Sequence, residues 1–445
     1  MNIVDIADRV ERLLKGRSLD GYEIMTGDSR TLSIEVKDFK VDSFKSAEPS
    51  AVGIRVLKES GVGFSYSSVF ADSDLERMID SACVGAAMQT PDPFGLLPPA
   101  SVYVTMPELF DPALRSVDVN RKIECALELE RLARSHDNRI KGVRKAVYGE
   151  STYSVHLRNS MGVYGGYSGT TVSGSVSAIA ESGGDSQMGW EFGYGNSFDA
   201  IDSKAIAERA AEKAVSQLGA RRAPGMCCQV ILENHVAADF LELLAPSFSA
   251  ENLHKGKSLL KGKVGERLFA SQMRVRDDGA LKGGMATSPF DGEGVPVQNT
   301  LLVDEGIVKG YLFDTAYAAR MGAASTGNSA RSGVKGLPRL GISNFFIENG
   351  SASSGEMLSG IGKGMKITSV IGMHTANPVS GDFSIGATGF LIEDGRVTIP
   401  VKGVALSGNV LDLFRNVEMI GDDLRFFSQV GSPSLRINSL EISGD

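Results

Sequence analysis

Long apolar runs are missing from this 445-residue chain, and no window approaches the ~18 apolar residues of a membrane-spanning helix. The N-terminal stretch does not read as a secretion signal either. Residues 1–16 set Asp5, Asp8, Arg9 and Glu11 among Ile3, Val4, Ile6, Val10, Leu13 and Leu14, which is amphipathic-helix spacing rather than an uninterrupted apolar core. Cysteine is scarce: Cys83, Cys125, Cys227 and Cys228 show no C-x-x-C spacing, and the adjacent pair would make a strained bridge. A disulfide framework is therefore excluded, and the cysteines are expected to fill apolar positions in a reducing compartment, the cytosol. Basic residues are outnumbered, 46 Lys and Arg against 54 Asp and Glu, for a formal charge of −8. The longest basic cluster, Ala220-Arg221-Arg222-Ala223, is too small to displace phosphate counterions, so no direct nucleic-acid surface is expected. Phosphate loops are lacking as well. Gly360-Ile361-Gly362-Lys363-Gly364 does not carry the lysine spacing of a nucleotide-binding loop, and no dinucleotide fingerprint occurs.

What the chain has in excess is glycine, 52 residues, well above the ~7% of an average protein. With 42% hydrophobic residues this does not mean disorder. It points to many tight turns and to strands that approach other backbone closely. The length suits two or three domains. Short alternating runs (Thr31 to Val36, Val41 to Phe44, Ala51 to Leu57, Val62 to Ser67) predict an antiparallel meander, followed by a helix over Asp72 to Gln89 capped by Asp72 or Ser73. Proline-rich residues 91–116 predict a linker. A second round opens with a helix over Val117 to Ser135. Strands follow near Ile140 to Tyr148, Thr152 to Arg158, Val163 to Ala180 and Ser186 to Tyr194, and a helix over Ser203 to Leu218 closes it. Tyr164, Tyr167, Trp190, Phe192, Tyr194 and Phe198 form an aromatic group expected to pack the sheet core, with a recognition surface as the alternative. The predicted organisation is a first half over 1–90, the linker, a second half over 117–224 and a β-rich domain over 225–445.

In the last third, Phe383, Ile385, Ala387 and Gly389 alternate with small polar residues, the period of a strand with one buried face. Asp394-Gly395 reads as a hairpin turn. Two loops combine small residues with side chains able to bond peptide groups: Thr326-Gly327-Asn328 to Gly336, and Thr375 to Asp382 with Asn377 and Gly381, continuing to Ser384. Turns serving only the sheet are the alternative. His374 with Asp382 is a candidate acid–base pair, although a single histidine near a turn is more often structural. Asp291 and Glu293, flanked by Gly292 and Gly294, are candidate paired carboxylates, with turn chemistry as the alternative.

The wording of the tract from Gly381 to Gly395, continuing to Val401, Gly403, Ser407-Gly408-Asn409 and Gly421-Asp422-Asp423, resembles the C-terminal signature of the TldD/PmbA family. That family has been described both as modulators of DNA gyrase and as peptidases. Further matches run in family order. They include Lys255-Gly256-Lys257-Ser258-Leu259-Leu260, Val264-Gly265-Glu266, Asp277-Asp278-Gly279, Pro289 to Pro296, Leu301 to Lys309, Ala319-Arg320-Met321-Gly322 and Ser325-Thr326-Gly327-Asn328. The resemblance covers residues 226–445, with a weaker pattern upstream.

The resemblance implies a choice between two kinds of member. TldD-type chains resemble zinc peptidases, with His-Glu-x-x-x-His on a helix and a C-terminal cysteine as third ligand. Counting back from Lys255-Gly256 places that motif on Leu241-Glu242-Leu243-Leu244-Ala245-Pro246, which keeps Glu242 and loses both histidines. No cysteine follows Cys228, so the third ligand is absent too. The resemblance thus implies the PmbA (TldE) type, binding no metal itself, with zinc expected in a TldD-type partner. Independently of the family, His235, Asp239 and Glu242 stand at i, i+4 and i+7, where a helix aligns them on one face. The plainer reading makes them the solvated face opposite Val236, Phe240, Leu243 and Leu244.

The expected fold is α+β: antiparallel meanders with helices, then a glycine-rich, largely antiparallel curved or barrel-like β domain with a helix over Val236 to Ala245. The expected function is the non-metal subunit of a cytosolic peptidase complex that acts on unfolded or small peptides, paired with a TldD-type subunit or with itself. A stand-alone hydrolase using His235 or His374, or a regulator of gyrase or of a toxin system, are the alternatives.

Overall fold

The computed structural model describes residues 2–444, which divide into two compact units. The first comprises residues 2–218 together with 288–296 and 314–339; the second comprises 219–287, 297–313 and 340–444.

In the first unit α1 (Ile3–Leu14) buries Ile6, Ala7, Val10 and Leu14, the stripe read from the sequence, and Asn2 caps it by accepting from the Val4 amide. The meander is four strands: β1 (Gly21–Lys37), β2 (Lys40–Ala47), β3 (Ser50–Lys58) and β4 (Gly61–Ser67). Helix α2 (Asp72–Met88) follows, but its N-cap is Ala71 and makes no side-chain cap. The capping expected of Asp72 or Ser73 fails for a visible reason, since the Asp72 carboxylate accepts instead from Arg9 at 2.6 Å. Asp72 and Asp74 still favour this helix electrostatically from its first turn. The linker contains two short 3₁₀ turns, Pro107–Leu109 and Pro112–Ser116. Beyond it lie α3 (Val119–His136), β5 (Ile140–Asn159), β6 (Tyr164–Ser182), β7 (Asp185–Gly195) and α4 (Ser203–Ser216).

The two strands expected over Ile140 to Tyr148 and Thr152 to Arg158 are one strand, β5, running unbroken through Gly149-Glu150-Ser151. A long partner explains the difference. β1 pairs with β5 from Glu23↔Asn159 to Val36↔Ala146, so each residue of the expected turn is held in the ladder. This pairing also joins the two meanders into one seven-stranded antiparallel sheet, ordered β4-β3-β1-β5-β6-β7, with β2 continuing the β3 side of β1. Helices cover the face bearing Ile24, Ile34 and Tyr148, where α1 and α2 pack on Val52, Ile54 and Val56, and α3 and α4 pack on Ala146, Val176 and Ala178. The approach is close enough that a Cβ at Gly63 would drive into the Ala82 carbonyl of α2. The aromatic group divides: Tyr167 packs on Phe290 and Phe198 on Tyr148, against buried clusters as expected, while the rest lie outside the core. Trp190 and Tyr164 are about half exposed or more, and Trp190, Phe192 and Tyr194 stack along the open face of edge strand β7 at 5.1 and 6.2 Å. Gly189 and Gly193 occupy the helix-facing side of β7, against Ala210 and Ile206, and leave the rings only the other side.

The second unit is built on a closed five-stranded barrel. The strands Arg396–Asn409, Asp382–Glu393, Lys363–Ile371, β8 (Met226–Leu232) and Leu435–Ser443 pair in that order, and the last returns to the first through Leu406↔Ile442. Only the pairing of β8 with Lys363–Ile371 is parallel. The predicted alternation is present, with Phe383, Ile385, Ala387 and Gly389 buried. Asp394 (φ 48°) and Gly395 (φ 73°) make the hairpin turn with both central residues left-handed. A second, six-stranded sheet includes Val275–Asp278, Asn299–Asp304, Phe345–Ile347 and Val430–Ser432. The last of these lies within Phe426 to Ser434, a stretch that looks like a mere connection until Phe345 and Phe346 are available to pair with it in parallel. Helix α5 (Asn234–Leu244) follows β8 and joins both sheets in one core, with Phe240 against Phe383 at 4.9 Å.

Candidate functional site

Helix α5 carries the positions at which a metal-peptidase motif would fall. Leu241 is fully buried in the core of its unit, Ala245 is buried, and Pro246 lies in a 3₁₀ turn over Ala245–Phe248 that ends the helix. Proline has no amide to continue the helical ladder, which is why α5 stops there. Glu242 is exposed. These six positions therefore supply one carboxylate and no imidazole. Among the described residues no three His, Cys, Asp or Glu side chains converge as a metal cluster.

The trio His235, Asp239 and Glu242 does lie along one side of α5, but not as a uniformly solvated face. His235 and Asp239 are half-buried. His235 Nε2 lies 2.7 Å from the Thr368 carbonyl oxygen; a carbonyl can only accept, so Nε2 carries the proton. Its Nδ1 faces Glu233 at 3.8 Å and its ring rests on Phe427. This geometry tethers α5 to the strand Lys363–Ile371. Burial, with the Glu242 charge one turn away, pushes the Asp239 carboxyl up to about 6.

The two loops singled out from sequence belong to different units. In the second unit Asn377 accepts from the amides of Val379 and Ser380, and the Gly381 amide closes the loop on the Asn377 carbonyl. Gly381 sits at φ 81°, the left-handed region that favours glycine. Asp382 accepts from Asn409 at 2.9 Å, and this bond and one with Ser380 hold its carboxyl below the usual range. His374 is exposed and makes no side-chain hydrogen bond to Asp382 among the described residues. Ser384 is exposed and accepts from Ser407. In the first unit the Thr326 hydroxyl donates to Asn328 at 2.6 Å, and Gly327 and Asn328 are buried.

That second loop leads into a buried polar cluster. Asp291, 8% exposed, accepts from the amides of Glu293, Val295 and Ser329 at 2.9 to 3.0 Å. Burial and the neighbouring Glu293 charge push its carboxyl up to about 7 against those three donors. Glu293 itself is paired with Arg55 at 2.8 Å, and Arg55 reaches Glu23 at 2.9 Å. Glu23 is also paired with Arg331, whose Nε donates to the Gly292 carbonyl at 2.6 Å. The Tyr103 hydroxyl donates to the Gly294 carbonyl at 2.7 Å. Asp291 and Glu293 were visible in the sequence as charges set between glycines. Their partners were not, because Glu23 and Arg55 lie more than 230 residues away. The cluster locks residues 288–296 and 314–339 onto β1 and β3.

Three family profiles match nearly the whole chain: domain 1 of the PmbA/TldA metallopeptidases over residues 22–86, their central domain over 112–218 and their C-terminal domain over 224–444. The chain belongs to the PmbA/TldA metallopeptidase family. The metalloprotease PmbA of Escherichia coli O157:H7 is 26% identical over 437 residues, covering 97% of this chain and 94% of that protein. A crystal structure from Thermotoga maritima, named as a candidate modulator of a DNA gyrase, is 26% identical with a TM-score of 0.90, over 99% of this chain and all of that one. The crystal structure of TldE from Thermococcus kodakarensis shares the fold at 24% identity, with a TM-score of 0.90 over 99% of both chains.

Proposed function

We propose that this chain is the non-metal subunit of a two-chain peptidase, working beside a TldD-type subunit that binds zinc and cleaves unfolded or small peptides. The observation that carries this reading is the replacement of the donor set on α5. Leu241 fills a core position, Pro246 ends the helix, and Glu242 stands exposed with neither imidazole beside it. A lone carboxylate can deprotonate a water molecule only when something acidifies that water, and among the described residues no cluster of three His, Cys, Asp or Glu side chains stands there to hold a metal. The family supplies the peptidase setting, and subunits of one fold pair economically about a pseudo-twofold axis. In such a pair this chain would contribute binding surface for the peptide, with the exposed Asn377, Asp382 and Ser384 of the second unit as the candidate contacts, whereas Gly327, Asn328 and Gly381 are buried and shape their loops. Strand edges would hold extended peptide backbone without regard to sequence.

Affinity capture of the tagged chain from its native lysate tests the reading. Recovery of a TldD-like chain in equal amount is expected. Recovery of the homodimer alone would contradict it.

A further inference from the structure

The helix-covered face of the first unit has a gap. Across β2, β1 and β5 the register sets Ser46 beside Leu32 and Leu32 beside Glu150, and in the next row Arg30 beside Thr152. All point to the side covered by helices, yet α3 begins only at Val119 and the 3₁₀ turn Pro112–Ser116 bridges the space before it. The result is a cavity of about 260 Å³. Its volume lies just under the ~300–1,000 Å³ of sites that enclose whole drug-sized ligands. A cavity of this size takes the end of a ligand, not all of it.

Its walls fall into two kinds. Leu32, Phe44, Leu114, Val117 and Val119 make an apolar pocket. At the floor the Lys122 ammonium donates to Glu150 at 2.6 Å, and the Tyr148 hydroxyl donates to the other Glu150 oxygen at 2.6 Å. That buried ion pair is internally satisfied. At the rim Arg30 pairs with Glu48, which lies outside the lining. Arg115 is exposed and reaches only the Phe110 ring, with no carboxylate partner among the described residues. In a chain of net charge −8, an unmatched guanidinium over an apolar cavity is a ready partner for a carboxylate, which it can hold through two parallel hydrogen bonds. The Ser46 and Thr152 hydroxyls in the lining match the amide group that precedes a peptide's last residue. With its carboxylate on Arg115, a simple aliphatic acid has no amide left to offer them.

We propose that this cavity binds the free C-terminus of a peptide, with an apolar last side chain in the pocket and its carboxylate on Arg115 at the rim. Capture of a C-terminal carboxylate is a recurrent mode of peptide recognition. The site lies wholly within the first unit and does not depend on the subunit role proposed above.

Calorimetric titration of the full chain with an N-acetylated hexapeptide ending in leucine tests the proposal. The C-terminal amide of that peptide, a version ending in glycine, and octanoate serve as comparisons. The free acid should bind, and the amide and glycine-ended peptides should bind at least about tenfold more weakly, as loss of one charge-assisted contact or one buried side chain implies. Arg115→Gln, at an exposed position, should weaken the free acid by a similar factor and leave the weak amide unchanged. Phe44→Ser on the exposed hairpin should weaken both peptides ending in leucine. Equal binding of acid and amide, indifference to Arg115→Gln, or binding of octanoate without the peptide would overturn it. Failure here would leave the capture of a TldD-like chain unaffected.

Discussion

Replacing Arg55 with methionine should cost the first unit more stability than any surface change. The guanidinium is 7% exposed and holds two carboxylates, Glu23 at 2.9 Å and Glu293 at 2.8 Å, which are 1% and 3% exposed. Methionine fills much of the volume but leaves Glu293 without its ion-pair partner, whereas Glu23 keeps Arg331. Breaking a buried pair by removing one side costs about 3–5 kcal/mol, chiefly from the charge left behind. With a urea slope of about 3 kcal/mol per M for a unit of this size, the unfolding midpoint should fall by roughly 1–1.7 M. The assay is built into the chain, because its single tryptophan, Trp190, lies on β7 of the same unit and its fluorescence follows that unit's unfolding. The double variant Arg55→Met with Glu293→Gln should lose clearly less than the sum of the single losses, since the orphaned charge is gone. A midpoint shift below about 0.3 M for Arg55→Met, or strict additivity in the double variant, would refute the claim that this network is a dry, coupled lock.

Two further predictions concern titration. For Asp291 the folded pKa of about 7 lies above the ordinary carboxylate value, so the folded state holds its proton longer than the unfolded chain does. Its contribution is therefore most favourable below about pH 4 and declines as pH rises towards 7. Asp291→Asn lacks that decline, so its stability deficit relative to the native chain should shrink between pH 4 and 7; a deficit that widens over that range would count against the assignment. For Asp239, raised to about 6 by burial and by Glu242, the variant Glu242→Gln should move the carboxyl titration downward in carbon-13 NMR. No movement would mean that the two carboxylates do not sense each other.

Legibility in the sequence followed the range of the interactions. The α1 stripe, the Asp394-Gly395 turn, the alternation of the Asp382–Glu393 strand and the position of α5 are local patterns, and each appears where the residues place it. Features decided at a distance were hidden. The turn expected within β5 was overridden by fourteen ladder pairs with β1, and the cap expected at Asp72 was lost to Arg9 of another helix. The open-face aromatic stack on β7 shared its composition with a sheet core, and only the glycines at 189 and 193, pressed against α4, decide which face the rings take. In the site, the identities of residues 241–246 and the lack of a cysteine after Cys228 could be read directly from the residues. That His235 is engaged by the Thr368 carbonyl could not, because Thr368 lies on a strand 133 residues away. The Glu23–Arg55–Glu293–Arg331 network was equally out of reach, as it joins segments from opposite ends of the chain.

This chain is proposed to serve peptide cleavage without holding the metal. The most direct test is metal content together with casein hydrolysis, measured on the purified chain alone and after co-expression with a TldD-type homologue from the same source. The account predicts a metal-free, inert single chain and an active, zinc-containing pair. One zinc per chain in the isolated protein, or hydrolysis by it that is lost with His235→Ala, would contradict the account.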